Sequence, residues 1–283
     1  MRTLFFSITV FLFYHSCTSN PFWNDGVKLE ENLTGKIVLE NMNSNTRTFV
    51  WLEGYDIHTQ TNAQGEFSIV LNDFSDNISG PLNIYFFIHN YLLDSVTVNF
   101  TNGRLSSNQS QIDSDGNLLE TVYLKKILSC SSMHQTDLNI LESEKPSIEY
   151  TISAHKPATI SIYKFLMGDS INSNSGLIFH NLSDGSIVLH RFSKVNGDGF
   201  LIQDQFFHLS TEISEELIWT YLIDPDQLSL FSGEYDVYPY FKIEHSYLPM
   251  GLVDALGGPI LFEFNEQYLS LPSDILVARV VVD

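Results

Sequence analysis

The chain is predicted to be all-β, with two consecutive β-sandwich domains following a cleaved signal peptide. Three observations predict this. Apolar residues alternate with polar ones at a period of two through most of the chain. Clusters of Gly, Asn and Asp punctuate that alternation, and no long helical stripe interrupts it. The 283 residues suffice for one large or two ordinary domains. A hydrophobic content of 43% and an aromatic content of 13% exclude a disordered chain.

At the N-terminus, Arg2 supplies a positive charge, and Leu4–Tyr14 form an evenly apolar run. This predicts an export signal over residues 1–16. The run is too short to span a bilayer, which takes about 20 residues. Ser16-Cys17 resembles the end of a bacterial lipobox, although Tyr14 and His15 depart from its usual aliphatic and small residues. The resemblance implies cleavage ahead of Cys17, lipidation of Cys17 with acyl chains, and a membrane partner reached through that N-terminal lipid anchor. Thr18, rather than Asp, follows the cysteine, which under the same resemblance implies the outer membrane or cell surface. The alternative is a secreted or periplasmic soluble protein, in which Cys17 and Cys130, the only two cysteines, are free to pair.

Residues 17–32 are polar and broken by Pro21 and Gly26, as in a tether. Strands are expected from residue 33 to 128. Phe67, Ile69 and Leu71 share a face; Leu82, Ile84, Phe86 and Ile88 face away from Asn83, Tyr85, Phe87 and His89; Val96, Val98 and Phe100 repeat the period. Residues 129–146 are turn-rich and mark a linker. From 147 to 283 strands resume, with Ile148, Tyr150 and Ile152, then Ile160 and Ile162, then Tyr235, Val237, Phe241 and Ile243. Pro239 inside that last run suggests an edge strand or a bulge. The chain ends on a strong strand over Ile275–Val282.

Leu33-Thr-Gly35-Lys-Ile37-Val38, Val50-Trp-Leu52 and Thr61-Asn-Ala-Gln-Gly65-Glu-Phe67-Ser-Ile69 carry a resemblance over residues 33–128. They resemble the carboxypeptidase regulatory-like domain, a small transthyretin-like sandwich. That resemblance implies a hairpin whose turn is set by Gly65 at positive φ, a closing hairpin strand at Val122–Lys125, and no catalytic residues. Ile148-Glu-Tyr150-Thr-Ile152, Ala158-Thr-Ile160-Ser-Ile162-Tyr163 and Phe231-Ser-Gly233-Glu-Tyr235-Asp-Val237 are similar to bacterial Ig-like modules. This second resemblance implies an Ig-like sandwich over residues 147–283 and no activity.

The formal charge of −20, from 34 acidic against 14 basic residues, argues against nucleic acid as a partner. Candidate chemistry is sparse. Gly168-Asp169-Ser170-Ile171 mimics an esterase nucleophile block, but the Asp-x-x-His pair that chemistry needs is absent. Ser161 and Lys164 match a Ser-x-x-Lys motif, yet on a strand they point to opposite faces. Asp113, Asp115 and Asn117 flank Gly116 as in the opening of a calcium loop, but Leu124 stands where the bidentate Glu of an EF-hand belongs. A hairpin turn accounts for them as well. The nine histidines show no His-x-His or His-x-x-x-His spacing. Asn32, Asn77, Asn99, Asn108 and Asn181 are sequons that matter only in a eukaryotic source. One binding hint remains. On a regular strand Tyr238 and Tyr240 both point outward, flanked by charge, as a platform for a glycan or a protein partner.

The expectation is thus a non-catalytic cell-surface or periplasmic lipoprotein with a binding, adhesion or scaffolding role. It has no cofactor, no metal beyond the calcium candidate Asp113, Asp115 and Asn117, and Tyr238 and Tyr240 as ligand contacts. The alternatives are an accessory carbohydrate-binding component of an uptake system and, behind it, a β-sandwich hydrolase.

Overall fold

Alternation becomes burial in the first half of the chain. The computed structural model describes residues 32–282 apart from 43–45, 56, 72–77, 107–109, 133–146, 168–169, 173–175, 191–193, 196–200, 203–206 and 223–228. The signal peptide, Cys17 and nearly all of the tether therefore lie outside the described residues. So do most of the linker and the sequons Asn77 and Asn108.

The first half contains β1 (Asn32–Leu39), β2 (Phe49–Leu52), β3 (Ile57–Gln60), β4 (Glu66–Val70), β5 (Gly80–Phe87), β6 (Asp94–Thr101), β7 (Arg104–Leu105) and β8 (Val122–Leu124). They form one sheet of order β4-β1-β8 and one of order β3-β2-β5-β6-β7. Leu33, Ile37, Phe67, Ile69 and Leu124 from the first sheet meet Val50, Leu52, Ile84, Phe86, Val98 and Phe100 from the second. Each such side chain contributes roughly 1.5–3 kcal/mol when fully buried. This is a sandwich, as the period-2 pattern demands.

Two local expectations are corrected. The Thr61–Gly65 turn joins β3 to β4, which lie in different sheets, so it arches between sheets rather than closing a hairpin. Val122–Leu124 runs parallel to β1, pairing Ile37 with Val122, and so is not a hairpin strand.

The second half contains β9 (Leu128–Ser132), β10 (Ser147–Ala154), β11 (Ala158–Met167), β12 (Ser170–Asn172), β13 (Leu177–Asn181), β14 (Ile187–His190), β15 (Lys194–Val195), β16 (Leu201–Ile202), β17 (Phe207–Ile213), β18 (Glu216–Leu222), β19 (Gly233–Pro239), β20 (Lys242–Ile243) and β21 (Ala278–Val282). Between β20 and β21 lie the helix α1 (Met250–Leu256) and two 3-10 turns, Pro259–Phe262 and Glu266–Ser270. Sheets β18-β10-β9 and β14-β13-β19-β21 enclose Cys130, Ile148, Tyr150, Ile152, Phe179, Tyr235, Val237 and Val280. β11 pairs with β12, β17 and β20.

The start of the expected linker is therefore a core strand. β9 pairs with β10, and Cys130 is 1% exposed between the sheets. Burial pushes its thiol well above the usual range. The polar look of Ser129, Ser131 and Ser132 hid a strand whose alternate positions are Leu128 and Cys130. Pro239 lies at a local edge within a central strand, in part as expected. β19 lies between β13 and β21, but β21 pairs only with Gly233–Val237. Pro239 still pairs with Leu177 of β13, and its missing N–H costs no bond to β21, which has already ended.

The two halves share a third core. The outer face of β2 and β5 presents Phe49, Trp51, Tyr85 and Phe87, and the second half answers with Ile178, Tyr240, Leu252, Val253, Leu261, Phe262, Phe264 and Tyr268. The segment from α1 through the second 3-10 turn fills the space between the sandwiches. Consequently β5 is buried on both faces near its end, not half-buried, and Tyr85 and Phe87 are core residues.

Candidate functional site

Where the two sandwiches meet, the surface opens into a cleft of about 840 Å³. One wall comes from the first half: Tyr85 on β5 and the segment Leu92–Ser95 that leads into β6. The other comes from Lys156–Thr159 at the start of β11, Glu212 near the end of β17, and Glu244–Tyr247 beyond β20. Asp94, Glu212, Glu244, Lys156, Ser95, Thr159 and Ser246 line it, with Tyr85 and Tyr247. Tyr247 is 66% exposed, whereas Tyr85 is 8% exposed and stacks on Trp51 at 5.6 Å between ring centres. Burial and the Glu53 carboxylate raise the pKa of the Tyr85 phenol, with Tyr247 adding to the effect. Glu244 is held in place by the Ser161 hydroxyl, which donates to its Oε1, and by its own N–H, which donates to the Thr159 carbonyl at 2.8 Å.

Such a surface can stack an apolar ring face on Tyr247 while carboxylates and hydroxyls accept and donate around it. Among the described residues, no three His, Cys, Asp or Glu side chains are placed to hold a metal ion.

Behind the cleft lies a buried polar cluster that ties the halves together. Lys126 Nζ donates to Asp274 Oδ2 at 2.8 Å and to the Asn41 carbonyl at 2.7 Å. The Tyr91 hydroxyl donates to the same Asp274 oxygen at 2.9 Å. Asn90 Nδ2 donates to the carbonyls of Leu128 and Asp274, while its Oδ1 accepts the Asp274 N–H. The bonds cross between the halves and leave none of these four side chains unsatisfied, which is the condition under which buried polar groups hold a structure rather than weaken it.

The residues expected from sequence are scattered. Tyr240 does not join Tyr238 on the surface. β19 ends at Pro239, and the backbone then buries Tyr240 and Phe241 in succession, one into the shared core and the other into the second sandwich. Tyr240 is 0% exposed and its hydroxyl donates to the Phe262 carbonyl at 2.9 Å. Tyr238 is half-buried against the shared core. Neither lines the cleft.

Asp113 forms a closed turn. Its carboxylate accepts the N–H groups of Asp115 and Asn117 and the Asn117 side-chain amide, and these bonds hold it below the usual carboxylate range. Ser161 sits on a strand, as expected, and is buried. Ser170 opens β12 directly opposite Met167 in an antiparallel pair, while Gly168 and Asp169 lie outside the described residues. Among the described residues, His58, His89 and His190 lie apart, each in its own aromatic setting. His58 stacks on Phe49, His190 packs on Phe179, and His89 lies among Phe241, Phe262 and Tyr268.

Sequence reasoning missed the cleft because its residues, Ile127 included, come from six separate segments. One signal was available: Tyr85 and Phe87 occupy the supposedly polar face of β5, with His89 continuing their alternation beyond it, too bulky and apolar a set for a solvated surface.

No family model matches the chain, and no curated protein matches it. Among solved structures, the full-length major pilin SpaD from Corynebacterium diphtheriae is similar at a TM-score of 0.32 and 10% identity. That match covers 78% of this chain and 65% of the pilin chain. The Bacillus anthracis TIE protein is similar at a TM-score of 0.20 and 10% identity, over 89% of this chain and 33% of that one. The chain thus spans less than two thirds of either neighbour, and no residue role is carried over from them.

Proposed function

We propose that the chain is an exported, surface-displayed binding protein with an adhesion or scaffolding role, and that its partner docks in the cleft between the sandwiches. One observation carries this reading. Both walls of the cleft are fixed by a common apolar core and a satisfied buried polar cluster, so the cleft is a preformed surface rather than a gap at a loose linker. Export and lipid anchoring through Cys17 complete the proposal; they rest on residues 1–17 alone.

A second reading, accessory glycan binding, is favoured by the exposed Tyr247 ring set among carboxylates and hydroxyls. A glycan array and a panel of immobilised surface proteins, each probed with the wild type, Tyr247→Ala and Tyr238→Ala, separate the possibilities. Capture of a protein that Tyr247→Ala abolishes supports docking of a protein in the cleft, and a glycan signal lost in the same variant supports the second reading. Binding that survives Tyr247→Ala places the site elsewhere, and turnover of any substrate in a hydrolase panel overturns the non-catalytic reading. Protease treatment of intact cells tests display: a protected chain is not at the surface.

A further inference from the structure

Two histidines reach across the junction in opposite directions. His89 follows β5 in the first half. Its Nε2 lies 3.3 Å from the Phe241 carbonyl and 3.3 Å from the Ile243 nitrogen, both in the second half. His245 follows β20 in the second half, and its Nε2 lies 3.0 Å from the His89 carbonyl. The ring centres are 6.2 Å apart. His89 is 0% exposed, and its Nδ1 has no hydrogen-bond partner. Phe241, Phe262 and Tyr268 surround His89, and Phe87 lies 5.4 Å from His245.

The charged and titratable neighbours do nothing to welcome a proton. His245 and Lys242 face His89, and Lys242 itself rests over Phe262 at 5.9 Å. The Tyr268 phenol donates to the Phe241 carbonyl. Asp94, Glu212 and Glu244 line the cleft with His245 but are exposed at its mouth, and Glu244 accepts from Ser161.

We propose that His89 and His245 form an acid-operated latch: protonating the pair loosens the junction and releases the two walls of the cleft from each other. The latch is a property of the junction and holds whether or not the cleft takes a partner. A protonated His89 cannot accept the Ile243 N–H, and two charged rings would then face each other in an apolar site beside Lys242.

Burial, with His245 and Lys242 nearby, lowers the pKa of His89 to about 3, and burial lowers that of His245 to about 4. In an opened junction both return toward about 6.5. The opened state therefore binds more protons than the closed one below that value. Closure is at full strength above pH about 6.5 and weakens as the pH falls toward 4. Each histidine contributes up to about tenfold per pH unit, so the pair weakens closure by up to about 100-fold per unit.

Amide hydrogen exchange on the purified protein between pH 7.5 and 4.5, corrected for the intrinsic pH dependence, tests this. The amides of His89, Tyr91 and Ile243 are expected to lose protection before those of β1, β4 and β10, steeply below pH 6. In His89→Gln/His245→Gln that selective loss is expected to disappear. Uniform loss across the molecule in the wild type, or an unchanged selective loss in the double variant, overturns the latch. If the double variant does not fold, proton uptake on denaturing the wild type at pH 5 decides. About two protons beyond what the other histidines take up are expected, and none overturns it.

Discussion

Lys126 Nζ lies 2.8 Å from Asp274 Oδ2, and neither side chain is exposed. The partners are 148 positions apart, one just past β8 in the first sandwich and the other just ahead of β21 in the second. Two charges taken out of water are costly, and their mutual attraction with the surrounding hydrogen bonds offsets that cost only while both are present. The Tyr91 ring adds a contact at 5.5 Å beneath the ammonium, and burial together with Asp274 drives the pKa of the Tyr91 phenol far upward.

Removing one charge strands the other. Lys126→Met and Asp274→Leu are each expected to lower stability by about 3–5 kcal/mol. The double variant should lose much less than the sum, because it removes both buried charges. Urea unfolding of the four proteins gives the coupling. Additive losses would show that the pair is not a unit.

The contact between Gly251 and Trp51 makes the second prediction. An added Cβ on Gly251 would sit 2.6 and 2.7 Å from two atoms of the Trp51 indole, where α1 crosses β2. In a free helix Gly→Ala gains up to about 1 kcal/mol. Here overpacking is expected to reverse the sign, with a loss of about 1–3 kcal/mol. In a Trp51→Leu background the same substitution should become neutral or stabilising. Thermal unfolding of the four variants reads the outcome, and an unchanged penalty without the indole would locate the strain elsewhere.

These two contacts explain what could be read from the chain alone. The sandwiches were legible because Phe67 and Ile69, and Ile84 and Phe86, like Ile148, Tyr150 and Ile152, sit two apart and fill one core each. The shared core was not, because its parts have other periods. Tyr85 and Phe87 belong to the opposite face of an already assigned strand, while Leu252, Leu261 and Phe264 come from a helix and turns too short to show a stripe. Lys126 and Asp274 are ordinary surface residue types, and only tertiary structure buries them. The misreading at Tyr240 has the same origin, since extending β19 by period past Pro239 assumes a strand that has already ended.

That misreading gives a direct contrast between neighbouring tyrosines. Tyr240→Ala empties a fully buried site and is expected to cost about 3–5 kcal/mol, the range for large aromatic truncation. Tyr240→Phe keeps the ring but removes the donor to the Phe262 carbonyl, for about 1–3 kcal/mol. Tyr238→Ala, half-buried, should cost clearly less than Tyr240→Ala. Denaturant midpoints rank the three, and a Tyr238→Ala loss equal to that of Tyr240→Ala would contradict the burial difference.

Gly65, by contrast, was legible, though for only half of its role. Its φ of +78° meets the positive φ expected at that turn. The turn also presses the Gly65 backbone against β1, where the Ile37 N–H donates to the Gly65 carbonyl at 2.8 Å and the Ile37 carbonyl occupies the space a Cβ would need. Asn tolerates positive φ better than Ala, so a purely conformational requirement would let Gly65→Asn rescue much of the Gly65→Ala loss. Steric exclusion predicts no rescue, with both variants losing more than about 2 kcal/mol. Gly185 is the control, because its φ is +74° but nothing lies within 4 Å of an added Cβ. Gly185→Asn is expected to cost under about 1 kcal/mol. Guanidinium unfolding of the four proteins measures the difference, and a Gly65→Asn protein as stable as Gly185→Asn would show that the turn needs only the dihedral angle.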